Sequence, residues 1–309
     1  MFNASYAKSW ENEKGSNAEV RSMAINQPQS AVSMTNKRII VTGPTSGFGR
    51  EIAMRLALLG AEVVLACRDL ERGERVAEEI AARTGRKDCT VLRIDTSSRQ
   101  SILEFAQQFS KKFSRLDVLV NNAGILRSKR QASVDGIELT FATNVLGYWL
   151  LTQELLDLLK ASAPARIVNV ASTYAGELDL TDLQFELRTY DGQKAYKQSK
   201  ACNRMLTWAF SRRLEGSGVA ANAMAPGLVA KTGLYRSVGP AVQLLMHVLG
   251  LFFGRSTAQG ADTAIWLASS PEVEGISGKF FDRRKEVPCS FRNREAEETL
   301  WRICEGLTG

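Results

Sequence analysis

Residues 39–53 read I-I-V-T-G-P-T-S-G-F-G-R-E-I-A, an apolar run that passes through Gly43, Gly47 and Gly49 into a helical pattern. Glycines at a strand-to-helix junction permit a tight turn and let a pyrophosphate approach the backbone. The helix beyond offers free N–H groups and a positive dipole end. A G-x-x-x-G-x-G string is common in turns, and its place between a first strand and a first helix makes it a nucleotide-binding signal.

Outward from this turn, short apolar runs alternate with helical patterns. Strands are expected at Arg38–Val41, Glu62–Ala66, Thr90–Ile94, Val118–Val120, Arg166–Val170, Val219–Met224 and Gly278–Phe281. Helical segments are expected at Gly49–Leu59, Leu70–Arg83, Ser101–Phe113 and Gly136–Leu159. Apolar strands separated by helices imply an α/β, single-domain, Rossmann-type doubly wound parallel sheet of about seven strands with helices on both faces. Residues 1–36, rich in Asn, Ser, Gln, Lys and Glu, read as a flexible extension, and residues 37–309 as the catalytic domain. From about residue 282 the chain reads as a charged appendage that ends in an amphipathic piece around Leu300, Trp301 and Ile303.

Composition narrows the function. The chain has 309 residues, a formal net charge of +7 and no long basic block, so nucleic acid is not an expected partner. Its five cysteines form no C-x-x-C pair, which points away from zinc and disulfides and toward a reducing, cytoplasmic compartment. The single His247 leaves little material for metal or Ser-His-Asp hydrolysis, and no metal is expected. The apolar stretch 238–253 is broken by Gly239, Pro240, Gln243, His247 and Gly250. It reads as helix lining an apolar site, with peripheral membrane contact as the alternative.

At the end of the second strand the sequence is Ala66-Cys67-Arg68-Asp69. Cys67 stands where an acid would exclude a 2′-phosphate, and Arg68 can pair with one bidentately, which favours NADP(H) over NAD(H). Alternatively, Arg68 faces solvent and Asp69 caps the next helix.

Tyr-x-x-x-Lys occurs twice, as Tyr190 with Lys194 and as Tyr196 with Lys200. Lowering a phenol pKa by about three units takes roughly 4 kcal/mol. An ammonium about 4 Å away at an effective dielectric of about 20 supplies that order of energy. Asp191-Gly192 interrupts the first pair with a turn signal, whereas Cys202, Met205, Leu206, Ala209 and Phe210 form a helical stripe behind the second. Only the second pair therefore has a scaffold, and Tyr190 is left as a possible substrate contact.

These motifs resemble the short-chain dehydrogenase/reductase superfamily over residues 37–281. The resemblance implies cofactor contacts from Gly43, Thr45, Ser46, Gly47, Phe48 and Gly49 in the turn, with Pro44 and Phe48 departing from the commoner residues. It further implies Arg68, Asp95 and Thr96 on the adenosine side. Asn122, Ala123 and Gly124 of N-N-A-G, Tyr196, Lys200, Pro226, Gly227 and Val229 would lie on the nicotinamide side. Asn144, Ser172, Tyr196 and Lys200 match its catalytic tetrad. In it Tyr196 is the proton donor, Lys200 lowers its pKa and holds the ribose, Ser172 binds the substrate oxygen, and Asn144 supports a water.

The segments L-A-C-R-D, A-Y-K-Q-S-K-A-C-N, R-R-L-E-G-S-G-V and L-A-S-S-P-E-V-E-G-I-S-G-K-F-F are most similar to the retinol dehydrogenase-like branch, and A-Y-K-Q-S-K-A-C-N with T-G-L-Y-R is also similar to protochlorophyllide reductases. The expected activity is hydride transfer between NADP(H) and a hydrophobic alcohol, ketone or aldehyde. Tyr190, Leu234 and His247 are candidate substrate contacts. The alternatives are a catalytically silent NADP(H)-sensing regulator and a protochlorophyllide reductase-like double-bond reductase. The resemblance also implies a homo-oligomer, a dimer or tetramer.

Overall fold

The apolar run ahead of the glycines forms β1 (Arg38–Thr42), in which Ile39, Ile40 and Val41 are fully buried, as a strand covered on both faces requires. The computed structural model describes residues 32–227, 255–289 and 291–309. Beside β1 lie β2 (Glu62–Cys67), β3 (Thr90–Arg93), β4 (Val118–Asn121), β5 (Ala165–Val170), β6 (Val219–Ala225) and β7 (Phe280–Asp282). These seven pair in parallel, and with a short β8 (Lys285–Glu286) at the edge the sheet order is β3-β2-β1-β4-β5-β6-β7-β8.

The eighth strand is a difference from the seven expected. β8 (Lys285–Glu286) pairs antiparallel with β7 through a two-residue turn at Arg283 and Arg284, whose φ angles are 51° and 59°. Such hairpin turns are usually signalled by Asn or Gly, because both central residues adopt left-handed φ. Here two arginines occupy them, and Arg284 is held by a bidentate pair with Asp262 at 2.6 and 2.7 Å. That stabilising contact is remote in sequence, so no local pattern announces the strand.

Helices cover both faces. α1 (Gly47–Leu58), α2 (Leu70–Thr84) and α8 (Thr257–Ser269) pack Ile52, Leu56, Val76, Ile80, Ile265 and Leu267 on one side. On the other, α3 (Arg99–Lys112), α5 (Gly147–Glu154), α6 (Leu156–Ala161), α7 (Gly192–Arg213) and α9 (Arg294–Thr308) contribute Phe105, Phe109, Trp149, Leu159, Phe210 and Trp301. Local signals start and stop them. Asp69 caps α2 by accepting from the Arg72 N–H, and left-handed Gly85 ends it. Asp191 caps α7 by accepting from the N–H groups of Gln193 and Lys194.

The helix expected over 136–159 is not continuous. After Glu138 come a short α4 (Leu139–Phe141), a π turn (Ala142–Leu146), then α5 and α6 with a break at Leu155. The π turn carries Asn144. At Gly147 a Cβ would fall 2.3 Å from the Thr96 carbonyl oxygen, so glycine lets this helix approach the end of β3.

The amphipathic piece near the C terminus is α9, whose apolar face belongs to the core. Trp301 meets Phe210 and Trp149 edge-on at centroid distances of 4.8 and 5.5 Å, and Arg213 stacks over it at 3.8 Å. Arg212 and Arg213 of α7 pair with Glu297 and Glu298. Trp301→Ala is therefore expected to cost about 3–5 kcal/mol in urea unfolding, whereas Leu187→Ala, at a side chain 83% exposed, stays within about 0.5 kcal/mol.

Candidate active site

The glycine turn is tied to the end of β4. The Thr42 hydroxyl oxygen accepts from the N–H groups of Asn122 and Ala123 at 2.8 and 3.0 Å, and the Asn122 amide donates to the carbonyls of Thr42 and Gly43 at 2.7 and 3.2 Å. A Cβ at Gly49 would lie 2.3 Å from the Asn122 amide nitrogen and 2.4 Å from the Gly43 oxygen, so only glycine lets α1 begin this close. Gly43 and Gly47 have φ of 65° and 58°, the left-handed region glycine tolerates. Ser46 stands at the N-cap of α1 without a side-chain capping bond, and the first turn contains no acid. Free N–H groups and an uncompensated positive dipole end suit a phosphate.

Beyond β2, Arg68 is exposed, and its side chain makes no hydrogen bond or ion pair among the described residues. Asp69 is the cap of α2, one of the two alternatives the sequence left open, and this does not engage Arg68. Arg72, which sequence reading passed over, donates to the Thr45 carbonyl at 3.3 Å and places a second guanidinium beside the turn. Burial pushes the Cys67 thiol up to about 11, so a neutral group stands at this strand end. The Asp95 carboxylate is held at one oxygen by the Ser97 N–H and hydroxyl, and Thr96 is buried next to it.

At the ends of β4 and β5 a second group of residues meets. Lys200, 3% exposed, donates to the Val170 carbonyl at 2.8 Å, with its ammonium 5.6 Å from the ring centres of both Tyr196 and Tyr148. Burial alone pushes its pKa down to about 7. Tyr196 is 9% exposed, one helical turn before Lys200 on α7. Asn144 accepts from the Ile125 N–H at 2.9 Å and donates to the Ile125 carbonyl and the Ser199 hydroxyl, each at 3.0 Å. A Cβ on Gly124 would sit 3.4 Å from the Asn144 oxygen and 3.7 Å from the Lys200 nitrogen, which places N-N-A-G against both. Ser172, just past β5, accepts from the Tyr174 N–H at 2.9 Å.

Helix α7 is locked to the sheet by buried amides. Asn121 donates to Thr152 and to Asn169 at 3.1 and 2.9 Å, and Asn169 donates to Thr207 at 2.9 Å. None of these was singled out from sequence beyond the first Asn of N-N-A-G, because a polar residue inside an apolar strand carries no local mark of its partner.

Tyr190 lies outside α7. Its hydroxyl donates to the Glu138 carboxylate at 3.0 Å, and its ring meets Phe185 edge-on at 5.3 Å. Burial and the Glu138 charge raise its pKa, the opposite of an activated phenol. The phenol is thus engaged in fastening the loop between Ser172 and α7. Pro226 and Gly227 follow β6. Arg255 donates to the Pro226 carbonyl at 3.2 Å and pairs with Asp282 at 2.7 Å, fixing that segment from a residue the sequence did not flag. Val229, Leu234 and His247 lie outside the described residues. Among the described residues no cluster suits a metal, and no helix is long and apolar enough to cross a membrane.

A doubly wound sheet with a glycine turn at β1 and a Tyr-Lys pair beside β5 defines a dinucleotide-binding oxidoreductase fold. The short chain dehydrogenase family profile matches residues 37–243, and the chain belongs to that family, in its retinol dehydrogenase-like branch. It is 40% identical over 294 residues to retinol dehydrogenase 13 of Mus musculus, covering 91% of this chain and 86% of that one. With retinol dehydrogenase 14 of Homo sapiens it shares 37% over 294 residues, covering 89% and 87%. Among solved structures, an uncharacterised protein from Mycobacterium paratuberculosis superposes with a TM-score of 0.69 at 29% identity, over 89% of this chain and 94% of that one. The Pseudomonas aeruginosa RhlG/NADP active-site complex superposes with a TM-score of 0.65 at 28% identity, over 81% and 96%.

The burial of Lys200 has a measurable sign. An unfolded chain keeps this lysine protonated to about pH 10.4, whereas the folded chain releases the proton near pH 7. Folding is therefore penalised at and below pH 7, and the penalty fades between about pH 7 and 10. Lys200→Met is expected to be more stable than wild type at pH 6, by up to about 4–5 kcal/mol for a shift of this size, with the gap shrinking to about 2 kcal/mol by pH 9. Urea midpoints at the two pH values check it, and a gap independent of pH contradicts it.

Proposed function

We propose that the protein is an NADP(H)-dependent oxidoreductase that interconverts a hydrophobic alcohol and its aldehyde or ketone. The observation that carries this reading is the convergence of Tyr196 and the desolvated Lys200 on one face of α7, against the strand end that leads to Ser172 and beside Asn144 and Gly124. A nicotinamide cofactor, when bound, would supply or accept the hydride. In the reducing direction Tyr196 gives its phenolic proton to the developing alkoxide, and in the oxidising direction it takes that proton back. Lys200, poised near neutrality by burial, is the cation that stabilises the tyrosinate left behind. The Ser172 hydroxyl accepts from the Tyr174 N–H and so keeps its own O–H for the substrate oxygen.

The uncapped α1 terminus would hold the pyrophosphate, and Lys200 would hold the ribose. Arg68, with no partner of its own among the described residues, would pair with the 2′-phosphate, with Arg72 close behind. Relatives named for retinol support a long apolar alcohol or its aldehyde as substrate. Tyr174, 45% exposed beside Ser172, supplies an apolar face on that side.

Absorbance loss from NADPH mixed with a panel of hydrophobic aldehydes and ketones, retinal among them, tests the reading. NADPH binding without turnover would replace it with the sensing regulator. Tyr196→Phe is expected to lower turnover by about a hundredfold or more while cofactor affinity stays within about twofold. Tyr190→Phe keeps the chemistry and loses about 1 kcal/mol of stability with its Glu138 bond. Arg68→Ala is expected to weaken NADPH by about tenfold or more and NADH hardly at all; equal weakening of both removes the 2′-phosphate role.

A further inference from the structure

Tyr196, Lys200 and Arg204 recur at every fourth residue along one face of α7. Arg204 is 6% exposed, and no carboxylate pairs with it among the described residues. Its guanidinium donates to the Ser172 carbonyl at 2.5 Å and to the Cys289 sulfur at 3.5 Å, and lies 3.5 Å from the centre of the Phe280 ring. A buried cation without an acid is expensive, and an aliphatic side chain of similar length would pack against the same ring at lower cost.

The two buried cations of α7 take alternate carbonyls of one strand end. Lys200 donates to Val170, the last residue of β5, and Arg204 to Ser172. Past Ala171, whose N–H still donates to the Met224 carbonyl at 2.8 Å, the chain leaves the sheet. The Ser172 carbonyl is then held by Arg204.

We propose that Arg204 is a positioning residue: by gripping the Ser172 carbonyl it sets the direction of the Ser172 hydroxyl relative to Tyr196 and Lys200. The kinetic part of its test rests on the hydride-transfer reading given above. In the full-length protein with NADPH, Arg204→Met lowers kcat by about tenfold or more, the scale of one charge-assisted hydrogen bond, while the KM for NADPH stays within about twofold. Arg204→Lys restores part of the loss. On a Ser172→Ala background, Arg204→Met costs less than about twofold, because the group it positions is gone.

Amide exchange gives a readout independent of turnover. In Arg204→Met, or in Arg204→Gln should the methionine variant not fold, the peptide 171–176 exchanges faster while strand peptide 219–225 stays protected. Equal kinetic losses with and without Ser172, or unchanged exchange over 171–176, overturn the proposal. Absence of turnover in wild type would sink the hydride-transfer reading alone, and the exchange result then decides the role of Arg204.

Discussion

An ammonium group held out of water is the constraint around which this fold is arranged. Lys200 is buried with the Val170 carbonyl as its one hydrogen-bond acceptor among the described residues, a state that burial makes unfavourable for the charged form. Such a group stays in place only if the helix that carries it cannot turn outward. Helix α7 is prevented from turning by its apolar stripe and by the chain of buried amides from Asn121 through Asn169 to Thr207. A rotation would take the Thr207 acceptor away from the buried Asn169 amide, so this polar contact adds direction to what hydrophobic packing supplies in bulk.

The sheet order brings the two halves of the site together. Strand β1 lies between β2 and β4, so the connections leaving β1 and β4 depart to opposite faces and open a crevice at their carboxyl ends. Thr42 and Asn122 close the base of that crevice with hydrogen bonds across it, and Gly49 lets α1 start against them. The uncapped N-terminus of α1 beyond β1 and the Tyr-Lys face beside β5 thus lie on one edge of the sheet, with β4 between their strands.

What the sequence revealed and what it concealed have separate physical causes. Strands buried on both faces must be apolar throughout, so their cores are legible, and only their ends differ by a residue or two. The Asp191 signal was equally local and placed the start of α7 after Tyr190. Contacts between distant residues left no such mark. Tyr190 finds Glu138 fifty-two positions away, and the Arg283-Arg284 turn depends on Asp262. Arg204 falls inside the stripe of Cys202, Met205 and Leu206, where a cation reads as a solvated charge; only the strand end opposite it explains its burial.

The same helix serves stability and the proposed chemistry with different portions of its length. Toward its C-terminal end, Phe210, Arg212 and Arg213 engage α9 through an aromatic cluster and carboxylate pairs, contacts that lower the free energy of the folded state. Toward its N-terminal half, Tyr196, Lys200 and Arg204 carry polar atoms into the interior, where they raise it. Both ends belong to one helix about 33 Å long, at 1.5 Å per residue over its 22 residues, so the favourable end can offset the unfavourable one. The C-terminal helix meets α7 at Phe210 and Arg212, well along the helix from Lys200, yet it is part of what keeps a buried lysine beside a tyrosine.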